Sequence, residues 1–432
     1  MKDLLPITIL INSRRKFVAV ILGLLCFCGA AIAENWPQFR GPQSQGVSTE
    51  TGLPVKWSAT SNVKWKTALP GPGHSSPIIW GNRIFLTALR QESSLVRRYL
   101  YASRGQLVVL CLDKGSGKIL WEREVPAERI EKTHSTNSPA SPTPVTDGRY
   151  VYVYFGSRGL ICFDFNGNKV WEIPLGPFPN EWGSASSPIL YKNMLLLNCD
   201  TDAEDFLLAV DKNTGKTIWK TSRSDVTRAW PTPVIWSADG KDEIVVSGSG
   251  RVKAYDPQDG RELWTVNGLT TWVTPTPVSA HGLLYVAANG PGGNIIMAIR
   301  PGGRGNITNT HVVWRYERAA PYSSSPVVVG DYLYTVKNGG IMTCLNARTG
   351  ALAWQERLPA RGDYYASPVA ADGKIYTLSE DGEVSVVAAK PTFELISSNS
   401  MGERCMASPA ISGGQIFIRS DYNLFCIGEA RR

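Results

Sequence analysis

Ser325-Pro326-Val327-Val328-Val329-Gly330-Asp331-Tyr332-Leu333-Tyr334-Thr335-Val336-Lys337-Asn338-Gly339-Gly340-Ile341-Met342-Thr343-Cys344-Leu345 runs on through Asn346–Gly350 into Ala351-Leu352-Ala353-Trp354. The stretch holds four short runs of β-branched and aromatic residues, separated by Gly/Asp/Asn turns, with no competing helical period. It reads as one antiparallel four-stranded blade. Proline is tolerated where the first strand opens, because that residue need not donate to the ladder.

The opening Ser/Thr-Pro step recurs at Pro77, Pro144, Pro188, Pro233, Pro277, Pro326, Pro368 and Pro409, at spacings of 67, 44, 45, 44, 49, 42 and 41 residues. A period of about 40–50 residues made of strands and turns is the signature of a propeller. A second phrase, Asp-x-x-x-Gly-x-x-x-Trp, closes repeats at Asp113/Gly117/Trp121, Asp211/Gly215/Trp219 and Asp256/Gly260/Trp264, and is one residue shorter at Asp164/Gly167/Trp171. Asp and Gly suit a tight turn, and the repeated Trp reads as a wedge between blades. The fifth repeat ends in a longer Gly-rich turn, Pro301–Gly305, before Trp314. The seventh lacks the Gly and Trp and carries Phe393 and Ile396 instead. The eighth stops at Cys426-Ile427-Gly428 with three strands, while Val63-Lys64-Trp65-Lys66 reads as the missing fourth. The expectation is an all-β, eight-bladed β-propeller of four-stranded antiparallel blades, closed by the N-terminal strand completing the last blade. Closure pairs two otherwise exposed edges.

Residues 1–33 read as a signal peptide and residues 34–432 as a single propeller domain. Arg14, Arg15 and Lys16 precede an apolar stretch, Phe17–Ala30, and Ala31-Ile32-Ala33 offers a cleavage site. Ser13–Val18 matches a twin-arginine pattern, and ordinary Sec export reads equally well. The expected location is the periplasm or cell envelope, with no transmembrane helix in the mature chain. Setting residues 1–33 aside lowers the formal charge from +8 to +5. No Lys/Arg run resembles a nucleic-acid patch.

Cys111, Cys162, Cys344 and Cys426 share one repeat position, filled elsewhere by Ala209, Ala254 and Ala298. Alternation of Cys with Ala marks a small buried strand residue. Cys199 and Cys405 fall outside this pattern and have no assigned state. There is no CxxC and no adjacent Cys pair, so zinc and redox readings lack support.

At this point the chain resembles the pyrroloquinoline-quinone (PQQ) repeat family, and in particular the BamB-like propellers of the bacterial envelope. The likeness rests on the Ser/Thr-Pro openings, on runs such as Ala209–Trp219, and on the start Asn35-Trp36-Pro37-Gln38-Phe39-Arg40-Gly41-Pro42. It implies a non-catalytic binding or assembly scaffold with no cofactor. PQQ-dependent alcohol dehydrogenases are more distant, and they imply PQQ with Ca²⁺. Their adjacent-cysteine disulfide has no counterpart here, and the acylation cysteine that the BamB resemblance implies has none either.

Candidate chemistry lies just upstream of each proline, where the repeats stop agreeing. His74, Trp182, Arg228, Trp230, Trp272, Tyr322, Tyr364, Tyr365 and Arg404 are expected around one channel mouth. Aromatics with Arg and His there suit a planar or anionic ligand, and packing between blades is the plainer reading. The insertion Ala88–Gly105, with Arg97, Arg98, Tyr99 and Tyr101, is a candidate flap or docking arm on the same face, and a solvated loop reads equally well. Asp200, Asp202 and Asp205 form the densest acidic run and are weak Ca²⁺ candidates, since the run lacks the glycine of a calcium loop. No G-x-S-x-G nucleophile elbow is present among the serines. The expected partner is an envelope protein, peptide or polymer at the varied face, engaged by a monomer.

Overall fold

A computed structural model describes residues 34–58, 61–90, 105–127, 130–178, 182–201, 204–360 and 362–429. These form eight antiparallel sheets in chain order, each of four strands, with a fifth strand added to the fourth sheet. The first blade is Ile78–Trp80, Arg83–Arg90, Gln106–Asp113 and Ile119–Val125. Its middle strands are buried over six consecutive residues each, whereas the outer strand is only intermittently so. Inner strands have a neighbouring blade on both faces and therefore read as continuous apolar runs; the outermost strand meets solvent. The ring closes as expected: Val63–Ala68 pairs antiparallel with Asn423–Ile427 and completes the eighth sheet.

The outer-strand tryptophans join neighbouring blades. The indole N–H of Trp65 donates to the Lys114 carbonyl at 3.0 Å. Trp121 donates to Phe165, Trp171 to Lys212, Trp219 to Pro257, Trp314 to Ala347 and Trp354 to Lys390, at 2.9–3.1 Å. Each acceptor lies in the closing turn of the next blade, which is why the wedge and the turn recur together. Trp354 keeps this bond, and Phe393 of the seventh blade's turn meets its ring edge-on at 5.1 Å. Trp264 differs: its N–H donates to Glu243 Oε2 at 2.7 Å. Here the long turn after the fifth blade's third strand sends Gly305–Asn306 back to pair in parallel with Trp264–Thr265.

Residues 34–58 form a plug that the repeat pattern does not describe. Trp36 exchanges backbone hydrogen bonds with Ile79 of the first blade, and Pro37 O accepts from Thr146 N of the second. Gln45 Oε1 accepts from Ser279 N of the fifth at 2.9 Å. Gly46 and Ser48 bond Ala370 of the seventh, and the Glu50 carboxylate accepts from Gly413 N and Gly414 N of the eighth. Five of these contacts are at or beside the first hairpin of a blade, so the plug covers that face of the ring. At its centre Arg40 is fully buried and bonds only carbonyl oxygens, those of Ser44, Gln45, Ser325 and Pro326. Burial pushes its guanidinium down to about 9, still protonated at neutral pH. Gly41 has φ 68°, and a Cβ there would lie 2.5 Å from the Trp36 ring, so both conformation and space call for glycine.

All six cysteines among the described residues are buried and free, Cys199 and Cys405 included. Burial pushes the Cys111 thiol up to about 11 and those of Cys344 and Cys426 to about 12, which makes them packing residues rather than nucleophiles.

Candidate functional site

Each first strand begins at the ring axis, so the Ser/Thr before each proline is brought within reach of its counterpart in the next blade. Ser76 N donates to Thr143 Oγ1 (2.9 Å), Thr143 N to Ser187 Oγ (2.9 Å) and Ser187 N to Thr232 Oγ1 (3.1 Å). Thr232 N donates to Thr276 Oγ1 (3.2 Å), Thr276 N to Ser325 Oγ (3.0 Å), Ser325 N to Ser367 Oγ (2.9 Å) and Ser367 N to Ser408 Oγ (2.8 Å). These seven links form a hydroxyl belt around the axis. The repeated hydroxyl therefore does more than mark a period: it joins blade to blade. All eight belt residues also line an axial cavity of about 170 Å³. Phe39 lines it too, reaching in from the plug, so the open mouth is on the opposite, varied face.

Of the residues expected at the mouth, His74, Trp182, Trp230, Trp272, Tyr322 and Tyr365 line this cavity. Three others do not. Tyr364 is fully buried in the packing between the sixth and seventh blades, because its neighbour Tyr365 takes the inward-facing position. Arg404 turns to carboxylates, 3.3 Å from Asp421 Oδ2 and 3.9 Å from Glu380 Oε2. Arg228 is half-buried away from the cavity lining. Arg97, Arg98, Tyr99 and Tyr101 lie outside the described residues.

Trp182 joins three of the aromatic side chains. Trp182 stacks on His134 with ring centres 4.6 Å apart and meets Trp272 at 5.5 Å and Trp230 at 6.4 Å. Trp230 is fixed by its N–H bond to the Gly183 carbonyl at 2.9 Å. Trp272 has φ 61°, a conformation that bulky residues seldom adopt and that costs about 1–3 kcal/mol. His134, Phe39, Met406 and the belt itself were not anticipated as lining. The signal for the belt was present, since the hydroxyl before proline is as constant as the proline.

The lining is uncharged. Among the described residues it contains hydroxyls, amides, imidazoles, aromatic rings and Met406, and no Lys, Arg, Asp or Glu. His74 stands 3.7 Å from Asp421 Oδ1 through Nε2. Burial lowers its pKa, Asp421 opposes this, and Arg404 and Arg419 reinforce it, so the imidazole is neutral at pH 7. Burial also pushes the Tyr365 hydroxyl far up, so it stays protonated.

The quinone implied by the more distant resemblance carries carboxylates, and its Ca²⁺ needs oxygen ligands. The described lining offers neither cations nor carboxylates, so these residues do not fit that pair. No group of three or more His, Cys, Asp or Glu side chains suited to a metal occurs among the described residues. The acidic run is spent differently. Asp200 is fully buried and binds Arg223 in two parallel contacts of 2.8 and 2.9 Å, so it serves an internal ion pair rather than Ca²⁺. Asp205 is buried also, and Asp202 lies outside the described residues.

Comparison with known proteins gives a consistent picture. The PQQ_2 family model, described as outer membrane protein assembly factor BamB, matches residues 44–181, 104–232 and 203–431. The outer membrane protein assembly factor BamB of Yersinia pestis is 20% identical over 306 residues, covering 59% of this chain and 76% of that protein. Other curated relatives are matched over about half of their own length. The crystal structure of BamB from Moraxella catarrhalis superposes with a TM-score of 0.61 at 16% identity, covering 86% of this chain and 98% of that one. A quinohemoprotein alcohol dehydrogenase from Pseudomonas putida gives 0.60 at 10% identity, over 92% and 81%. At these identities the two structures speak for the fold alone.

Proposed function

We propose a function from a plain premise: the chain belongs to the family described as outer membrane protein assembly factor BamB. On our reading it is an exported, non-catalytic scaffold of the cell envelope, monomeric, that engages an envelope protein, peptide or polymer at the mouth of its axial cavity. Residues 1–33, which lie outside the described residues, would be the export signal. No helix among the described residues is long and apolar enough to cross a membrane.

The observation that carries the reading is the asymmetry of the ring. The plug fastens one face to at least five blades, and the opposite mouth gathers unlike residues from successive lead-ins. Variation on one face over a uniform frame is how repeat proteins present binding surfaces. A photo-crosslinking residue placed at Tyr322 or at Tyr365, both in the cavity lining, should trap a defined envelope partner in cells, and one at Asp331, on the plug face, should not. Equal trapping from both faces, or from neither, would overturn the reading.

A further inference from the structure

We infer that the axial cavity is a binding site for the end of a neutral saccharide chain. This goes beyond the scaffold reading and does not depend on it. Three observations meet in one place.

The first is the arc of Trp182, Trp230 and Trp272, in which Trp182 meets both other rings and carries His134 stacked on one face, and each indole is only partly buried. Flat aromatic faces pair with the apolar C–H face of a pyranose while leaving the sugar's equatorial hydroxyls free at its edge. The arc is held in place at a cost: Trp272 keeps its positive φ, and strain of this kind concentrates where a side chain must be aimed.

The second is the hydroxyl belt. A Ser or Thr hydroxyl carries one donor and two acceptor lone pairs. Seven of the belt hydroxyls accept one backbone N–H each, and each keeps its own proton and a second lone pair. The cavity therefore presents a circle of groups that both donate and accept. Sugar hydroxyls do the same, so the two sets match without either side being left unsatisfied.

The third is charge. With no Lys, Arg, Asp or Glu in the described lining and His74 neutral, an anionic ligand would lose its hydration without a cation in direct contact. A quaternary ammonium would suit the aromatic rings, but it has no acceptor for the belt's protons. The space of about 170 Å³ holds about six waters, room for one sugar ring, and the plug closes it beyond Phe39. A chain would thus enter by its end rather than thread through.

Purified protein titrated with cellohexaose, maltohexaose and chitohexaose tests this, read by tryptophan fluorescence and by calorimetry. At least one should give saturable binding with a shift in the tryptophan emission. Trp182→Ala should weaken that binding about tenfold or more with the thermal melt retained. Should that variant not fold, Trp182→Phe keeps an apolar ring and should weaken binding about threefold. Choline, an oligogalacturonate and a proline-rich peptide are the competing probes. The inference is overturned if no neutral oligosaccharide binds, if one of the competing probes binds more tightly, or if the Trp182 variants bind sugar as the parent does.

Discussion

His74 is the residue at which the cavity wall and the electrostatics behind it meet. Its side chain is 6% exposed and faces Asp421. Burial holds its pKa below the ordinary 6.5, against the pull of Asp421. In the unfolded chain the same imidazole takes up its proton near pH 6.5. As pH falls below that value the unfolded state binds a proton that the native state resists, so stability falls. The melting temperature should therefore drop from pH 7 to pH 5.5, and His74→Asn should flatten that drop. Melts of both proteins across this range check the point, and the comparison cancels other titrations such as that of Glu131, whose carboxyl burial pushes up. An unchanged slope in the variant would mean that His74 titrates normally. His74 was legible in the sequence because it stands three residues before Pro77. Its partner was not, because Asp421 lies in the last blade and only ring closure brings the two together.

Among elements, the seam between blades depends on one side chain pressed against one turn. Trp314 is 8% exposed and donates to Ala347. Gly350 of the following turn has φ 73°, and a Cβ there would lie 2.6 Å from the Trp314 ring. Trp314→Ala should cost about 3–5 kcal/mol through the cavity it leaves. Gly350→Ala should cost about 1–3 kcal/mol, from the positive φ and the clash together. The double variant should cost less than the two single effects added, because removing the indole relieves the clash. Urea unfolding of the three proteins measures this, and strict additivity would show that turn and indole are independent. The Asp-x-x-x-Gly-x-x-x-Trp phrase made this seam readable, since its period aligns each turn with the preceding blade's Trp. The exception at Trp264 was not readable. It depends on where the long turn through Gly305–Asn306 comes to rest, and no local pattern encodes a parallel pairing between blades.

For the whole molecule, the count of eight openings and the three-stranded last repeat were enough to place Val63–Ala68 beside Asn423–Ile427. A missing strand and a spare one leave little choice in a ring. The plug had no such signal, because residues 34–58 follow no period and their contacts are with five or more separate blades. The two segments should separate in a pair of truncations. Deleting residues 34–58 keeps the closing strand but removes Trp36, Leu53 and Trp57, buried at 0%, 4% and 6% in the seam of the first, seventh and eighth blades. At about 1.5–3 kcal/mol for each large apolar side chain, the ring should melt well below the parent but still in one transition. Deleting residues 34–66 also removes most of the closing strand and leaves the edge at Asn423–Ile427 unpaired. A ring opened at one seam loses the contact that makes its blades cooperate, and a free edge invites pairing between molecules. That truncation should lose the single cooperative transition and associate on gel filtration. If it melted as sharply as the shorter truncation, the N-terminal strand would be a decoration on a ring already closed by its other seven seams.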